Sequence, residues 1–156
     1  MTYMTWTDKM SVGVPELDED HKGLIHIINQ LAENAGEETR YSVVRQCIFA
    51  LMRYAETHFA REEQVMASCG FPGLEVHQGE HHTFLADIKA AATRFEEQPD
   101  KLAAMVNDEL LSYLKNWLNH HILIEDMAYR PFAERNLADA RRAAQTFRAS
   151  EVWRGA

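Results

Sequence analysis

Apolar residues recur at intervals of three and four in four successive stretches of the chain. They are Leu17, Leu24, Ile28 and Leu31; Val44, Ile48, Leu51, Ala55 and Phe59; Leu74, Phe84, Ile88, Ala91 and Phe95; and Leu102, Met105, Val106, Leu110, Leu114, Trp117 and Leu118. That spacing is the stripe of an amphipathic helix, and no stretch alternates as a half-buried strand would. Pro15, Gly36, the Cys69–Gly70–Phe71–Pro72–Gly73 run, Pro99 and Pro131 punctuate the stripes and are expected to break helices. Asp18 and Asp100 are the expected helix starts, each placing a carboxylate near a positive dipole end. Four helices with short connections predict an all-α, antiparallel up-down-up-down bundle preceded by an N-terminal arm. A fifth stripe, Ala133, Leu137, Ala140, Ala144 and Phe147, predicts an extra C-terminal helix. The expected organisation is therefore a bundle with its arm over residues 1–132 and an amphipathic extension of the same domain over 133–156.

At 156 residues the chain can bury one core without disulfide support. Its two cysteines, Cys47 and Cys69, are too few for a disulfide framework or a thiolate-rich zinc site, and both are expected as small buried hydrophobes. A net charge of −8 argues against a nucleic-acid surface, which needs basic stripes to track phosphates. No apolar run reaches signal-peptide or membrane-span length, so the expectation is a cytoplasmic protein that is not embedded in a membrane. Charge is uneven: from Met127 onward six Arg face three acids, +3 against −11 for the rest. The C-terminal helix is expected to pack back on the acidic bundle, with a dimer contact or a docking surface for a membrane receptor or oxidase as alternatives. A monomer is favoured.

Polar residues continue the apolar stripes at particular points. His58 and Glu62 follow Leu51 and Ala55 down the second helix; His77 and His81 lie between Leu74 and Phe84 on the third. Each pair is four residues apart and so shares one face, pointing inward. A buried carboxylate or imidazole carries a desolvation cost of roughly a few kcal/mol, which a coordinated cation offsets. His21 on the first helix and His121 with Asp126 on the fourth complete a set of seven candidate metal ligands. His121 and Asp126 are five apart, about 140° of rotation in a regular α-helix, so a π-type turn is expected between them. His26, His82 and His120 are rotated away from the set and are expected at the surface, as are Arg61, Glu63 and Glu125. Imidazole with carboxylate suits iron, zinc or manganese, and seven donors exceed the needs of one zinc ion. Paired Glu-x-x-His motifs, the mark of ferritin-like di-iron sites, do not occur.

Ser11-Val12-Gly13-Val14 leading to Asp18-Glu19-Asp20-His21-Lys22, then His58-Phe59-x-x-Glu62-Glu63, Gly70-Phe71-Pro72, His77-x-x-x-His81-x-x-Phe84 and Trp117-Leu118-x-x-His121-Ile122-x-x-x-Asp126-x-x-Tyr129 resemble the bacterial hemerythrins. The resemblance spans roughly residues 4 to 132. It implies two non-haem iron ions with a bridging oxo or hydroxo group. His77, His81 and His121 would hold one iron and His21 and His58 the other, with Glu62 and Asp126 bridging and the second iron open to oxygen. Leu24, Phe59, Trp117 and Ile122 match the family's apolar oxygen-pocket positions, although ordinary core packing explains them equally well.

The resemblance implies reversible dioxygen binding, as a carrier, store or delivery protein for oxygen transport. An oxygen or redox sensor is the second reading; its usual mark, a fused or linked receptor, is not in this chain. An enzyme acting on oxygen, peroxide, nitric oxide or ferrous iron is the third. Catalysis needs an acid or base beside the open position, and none stands out, so no catalytic residue is assigned and no enzyme is expected; His26 and His82 are the groups to test. Oxidase, peroxidase or nitric oxide reductase chemistry would then be a side activity.

Overall fold

The computed structural model describes residues 2–35 and 41–147, Tyr41 by its backbone alone. Among these residues there are helices and no strands. Helix α1 is Pro15–Glu33, α2 Tyr41–Ser68 and α3 Leu74–Glu97. After a 3₁₀ turn at Pro99–Lys101, a long helix, here α4, occupies 102–135; α5 is Leu137–Thr146. Among the described residues no helix is long and apolar enough to cross a membrane. The bundle and the extra helix expected from the stripes are both present.

Three expected punctuation points differ. Pro15 opens α1 at its first position, where its missing N–H is one no helix bond requires, so the helix begins before Asp18. Asp18 instead accepts hydrogen bonds from the Ser11 hydroxyl (2.6 Å) and the Val12 N–H (2.9 Å), tying the arm to the first turn. Asp100 lies in the 3₁₀ turn, two residues before α4 begins at Leu102. Pro131 sits inside the helical segment Met127–Arg135 rather than ending it. Its neighbours Tyr129 and Ala133 are buried, and that packing outweighs the one lost backbone donor. Gly36 lies outside the described residues. Gly70 behaves as a breaker should: at φ +71° it lets the Phe71 N–H reach Met66 O (3.1 Å) and its own N–H reach Ala67 O (3.3 Å), closing α2 with a Schellman motif.

Helix α4 is not regular. It runs as α-helix over Leu102–Met105, π-helix over Val106–Leu110, α-helix over Leu111–His120, π-helix over His121–Asp126 and α-helix over Met127–Arg135. The second wide turn is the one expected between His121 and Asp126. The first brings Val106 and Leu111, also five apart, into the same core. A π turn aligns residues five apart, so in both places the side chains that must be buried set the local winding.

The interior consists of two apolar clusters. The larger holds Leu24–Leu31 positions of α1, Val44–Phe59 of α2, Phe84–Phe95 of α3 and Leu102–Ile122 of α4. The smaller holds Val12, Val14, Leu17, Val65, Met66, Cys69, Tyr129 and Ala133, with Ala140 and Ala144 of α5. On every bundle helix the candidate ligands lie where one cluster gives way to the other. The arm runs along both: Met4 is pinned to α1 by a pair of hydrogen bonds with Asn29 (2.7 and 2.9 Å), and the turn Asp8–Met10 packs against the His121–Asp126 turn. Helix α5 folds back onto α1 and α2, where Arg141 (3.0 Å) and Gln145 (2.9 Å) donate to Glu16. Leu137, expected on its apolar stripe, is 41% exposed at the first position of α5. Gly23 allows α1 and α2 to approach closely, since a side chain there would collide with the Tyr54 hydroxyl.

Candidate metal centre

All seven candidate ligands are buried, none more than 3% exposed, and their functional atoms converge. Their helices explain how. His58 and Glu62 project from one face of α2, His77 and His81 from one face of α3. The π turn swings Asp126 onto the face of His121, and His21 enters from α1. His58 meets Asp20 and His21 of α1, whereas Glu62, nine residues before Phe71, is level with His81, nine after Pro72.

The two carboxylates divide the histidines between their oxygens. Glu62 Oε1 lies 3.1 Å from both His77 Nε2 and His81 Nε2, while Oε2 lies 3.4 Å from His21 Nε2 and 3.3 Å from His58 Nε2. Asp126 Oδ1 lies 3.0 Å from His77 Nε2 and 3.1 Å from His121 Nε2, and Oδ2 lies 3.2 Å from His21 Nε2. His77, His81 and His121 thus gather around Glu62 Oε1 and Asp126 Oδ1, two of them within 3.1 Å of each oxygen, while His21 and His58 share Glu62 Oε2 and His21 alone meets Asp126 Oδ2. Within this set, Glu62 with His77, His81 and His121 forms one group of metal-binding spacing and His21, His58 and Glu62 a second.

These spacings test whether metal ions fit. Two donors at right angles, each about 2.1 Å from one ion, lie roughly 3.0 Å apart, and the distances above cluster just there. His81 Nε2 and His121 Nε2 are likewise 3.1 Å apart. His21 Nε2 and both oxygens of Asp126 are buried with no hydrogen-bond partner, although Asp126 has imidazole nitrogens at 3.0 and 3.1 Å. Close but misaligned lone pairs aim at a point between them, which is a ligand's geometry. The donor set, nitrogen and oxygen without thiolate, fits two ions of the iron type.

Electrostatics agree. Burial alone would raise the Glu62 and Asp126 carboxyls, yet the surrounding imidazoles hold both well below the usual range. Burial would also lower the histidines. The same two carboxylates overcome it, and His21 and His77 are each pushed up to about 10. Two buried carboxylates keep their charge and call for positive charge among them.

A second layer of groups holds the ligands in place, and most of it was not anticipated. Asp20 accepts from His58 Nδ1 at 3.0 Å and Glu63 from His81 Nδ1 at 3.0 Å, while Glu80 lies 3.5 Å from His121 Nδ1. A hydrogen bond at Nδ1 fixes the tautomer whose Nε2 lone pair points inward. The Tyr129 hydroxyl donates to Glu62 Oε2 at 3.0 Å. Arg61, expected on a solvated face, forms an ion pair with Asp20; Glu63, expected with it, is the His81 partner. The available signal was an acid next to a ligand in sequence: Asp20 beside His21, Glu63 beside Glu62, Glu80 beside His81. His26, His82 and His120 are exposed as expected, and His120 pairs with the half-exposed Glu125 at 3.2 Å.

Aromatic rings close the cage on the larger cluster's side. Phe59 stacks on His81 with centroids 3.9 Å apart and planes within 5°, and Trp117 on His121 at 4.3 Å and 12°. Leu24 and Ile122 are buried in the same cluster, and Trp117 is half-buried.

Comparison with known proteins gives one consistent result. Residues 12–133 match the family model described as the hemerythrin HHE cation binding domain. The chain is 30% identical over 129 residues to a bacteriohemerythrin of Stenotrophomonas maltophilia, covering 83% of this chain and 80% of that one. It is also 30% identical over 125 residues to a myohemerythrin of Riftia pachyptila, covering 80% and 89%. A crystal structure of a hemerythrin mutant superposes with a TM-score of 0.75 at 26% identity, over 84% of this chain and 97% of that one.

Proposed function

The chain belongs to the hemerythrin family, and from that premise we propose that it binds dioxygen reversibly at its di-iron centre, as an oxygen carrier, store or delivery protein. The observation that carries the reading is the division of two buried carboxylates between a group of three histidines and a group of two. We assign His77, His81 and His121 to one ion and His21 and His58 to the other, with Glu62 and Asp126 bridging. When bound, the iron pair supplies two electrons to dioxygen and recovers them on release.

The surrounding residues have two tasks in that chemistry. Asp20 and Glu63 keep His58 and His81 in the tautomer that presents Nε2 to the cage, and the Glu80 carboxylate faces His121 Nδ1 at 3.5 Å. Tyr129 takes one lone pair of Glu62 Oε2, and its burial beside two carboxylates raises the phenol well above its ordinary range, so it stays a donor. Phe59, Trp117, Leu24 and Ile122 exclude water from the apolar side, which reversible binding requires because water and outside reductants reaching the centre would leave it in an oxidised, inert form. Residues 133–147 are assigned to the same domain, since α5 shares the smaller cluster; 148–156 of the expected extension lie outside the described residues.

The test is to count metal per chain, reduce the protein anaerobically, and record the visible spectrum before oxygen, after oxygen, and after flushing with inert gas. Two irons and a band that appears with oxygen and disappears on flushing are expected. A single zinc, or no oxygen-dependent band, would remove the proposal. Rapid oxidation with sustained consumption of oxygen, peroxide or nitric oxide would favour an enzyme instead.

A further inference from the structure

Helix α5 reaches the cage through a chain of contacts on the side of the two-histidine group. Asp20, only 8% exposed, accepts from His58 Nδ1 through Oδ2, and the Arg61 guanidinium engages both oxygens of the same carboxylate. On its outer face the guanidinium lies 5.4 Å from the ring centroid of Phe147, the residue that ends α5, within cation–π range. A surface cavity of about 360 Å³ between α1 and α2 is lined by Asp20, His58, Arg61, Tyr54 and Thr57, so solvent reaches this side of the relay. The other outer carboxylates have no such backing: among the described residues Arg61 is the one cation shown pairing with a residue that bonds a cage histidine.

We propose that Arg61 is a positioning residue for His58, clamped by Phe147, so that the C-terminal helix sets how firmly the two-histidine side of the centre keeps its ion. The inference rests on the ligand assignment above. The physical chain is short. Asp20 orients His58 only while its carboxylate is held still. Arg61 holds it by both oxygens, so the carboxylate keeps the orientation that His58 Nδ1 needs. The guanidinium, 22% exposed beside an open cavity, would otherwise be free to turn to water, and the Phe147 ring covers its outer face. The consequence falls on the half of the cage with fewer nitrogen ligands, and the three-histidine half is untouched by this path.

The experiment compares release of iron to a chelator from anaerobically loaded full-length protein. Wild type should hold two ions, and a count other than two would fail the ligand assignment itself rather than the relay. With two ions held, Asp20→Asn should speed loss of one of them by roughly ten-fold. Arg61→Gln and Phe147→Ala should do so by about three-fold or more, the second ion leaving at the wild-type rate. Phe147→Tyr, which keeps the ring face, should restore retention, whereas Phe147→Leu should not. Arg142→Gln removes only an exposed pair with Asp139 inside the same helix and should leave both release rates alone. Wild-type release from Phe147→Ala, equal acceleration of both ions, or the same effect from Arg142→Gln would overturn the proposal. Circular dichroism and melting of each variant distinguish a change at the ion from general unfolding.

Discussion

Replacing Tyr129 with Phe removes a single oxygen atom from the interior and leaves the ring, with its edge contacts to Phe71 and His77, in place. The lost hydroxyl donates to Glu62 Oε2 at 3.0 Å, and neither residue is exposed to any measurable extent. Because the acceptor is an ionised, fully buried carboxylate that water cannot reach in compensation, the bond contributes about 2 kcal/mol. For a chain of this length that corresponds to a fall of roughly 4–8 °C in melting temperature. Tyr113 supplies the internal comparison. Its hydroxyl donates to Asp87 at 2.7 Å, a shorter bond but an exposed one, so Tyr113→Phe should lose about 0.5 kcal/mol and no more than about 2 °C. Both variants should be melted as metal-free protein at neutral pH, so that loss of ions does not compete with unfolding. If the two variants melt together, burial does not set the strength of the Tyr129–Glu62 bond and the reasoning is wrong.

Other expectations follow from the same geometry. Glu62→Ala and His121→Ala should lower the metal content per chain, while His82→Ala and His120→Ala, on exposed positions, should leave it at the wild-type value; equal losses in metal analysis would undo the facing argument. Deleting the exposed Leu123 from the wide turn should convert it to a regular α turn with His121 and Asp126 four apart, keeping helicity and metal content; a collapse of both in circular dichroism and metal analysis would show that the π turn is needed for more than alignment. Docking of α5 should weaken in acid. Burial would raise Glu16, but hydrogen bonds from Arg141 and Gln145 outweigh it and hold the carboxyl below its usual value of 4.5. A depressed folded value means stability that is present above about pH 4.5 and lost as the pH falls through the lowered one. Hydrogen exchange over 137–146 should therefore accelerate in that window, and less so in Arg141→Gln; an identical response in both would refute the link.

How far the sequence discloses this structure depends on the range of the interaction that decides each feature. The pairs His58 with Glu62 and His77 with His81 are readable because facing at four residues is a property of one helix. The wide turn at His121–Asp126 is readable because two residues that must meet stand five apart. The same reasoning applied to Val106 and Leu111 would have found the other wide turn, but apolar residues offer so many alternative alignments that none demands it. Asp20, Glu63 and Glu80 escape because each serves a ligand on another helix, across a gap set by helix packing; sequence shows them only as acids rotated about 100° from their neighbours. Arg61 looks solvated until Asp20 and Phe147, distant in sequence, are brought to it. Pro131 misleads for a related reason: local chemistry favours a break, and the burial of Tyr129 and Ala133 overrules it.

The position of the cage between two apolar clusters has a consequence for how the molecule comes apart. Each bundle helix crosses from one core to the other through a layer whose only strong lateral forces are between charges and imidazoles, so without ions that layer is the weakest cross-section of the bundle. Opening of the metal-free protein should begin at mid-height, with the two cores persisting as separately protected units on either side. With ions in place the same layer becomes the tightest part of the molecule. On the proposed assignment, oxygen chemistry and mechanical cohesion are then properties of one set of seven side chains, and the centre acts as the rivet of the fold it depends on.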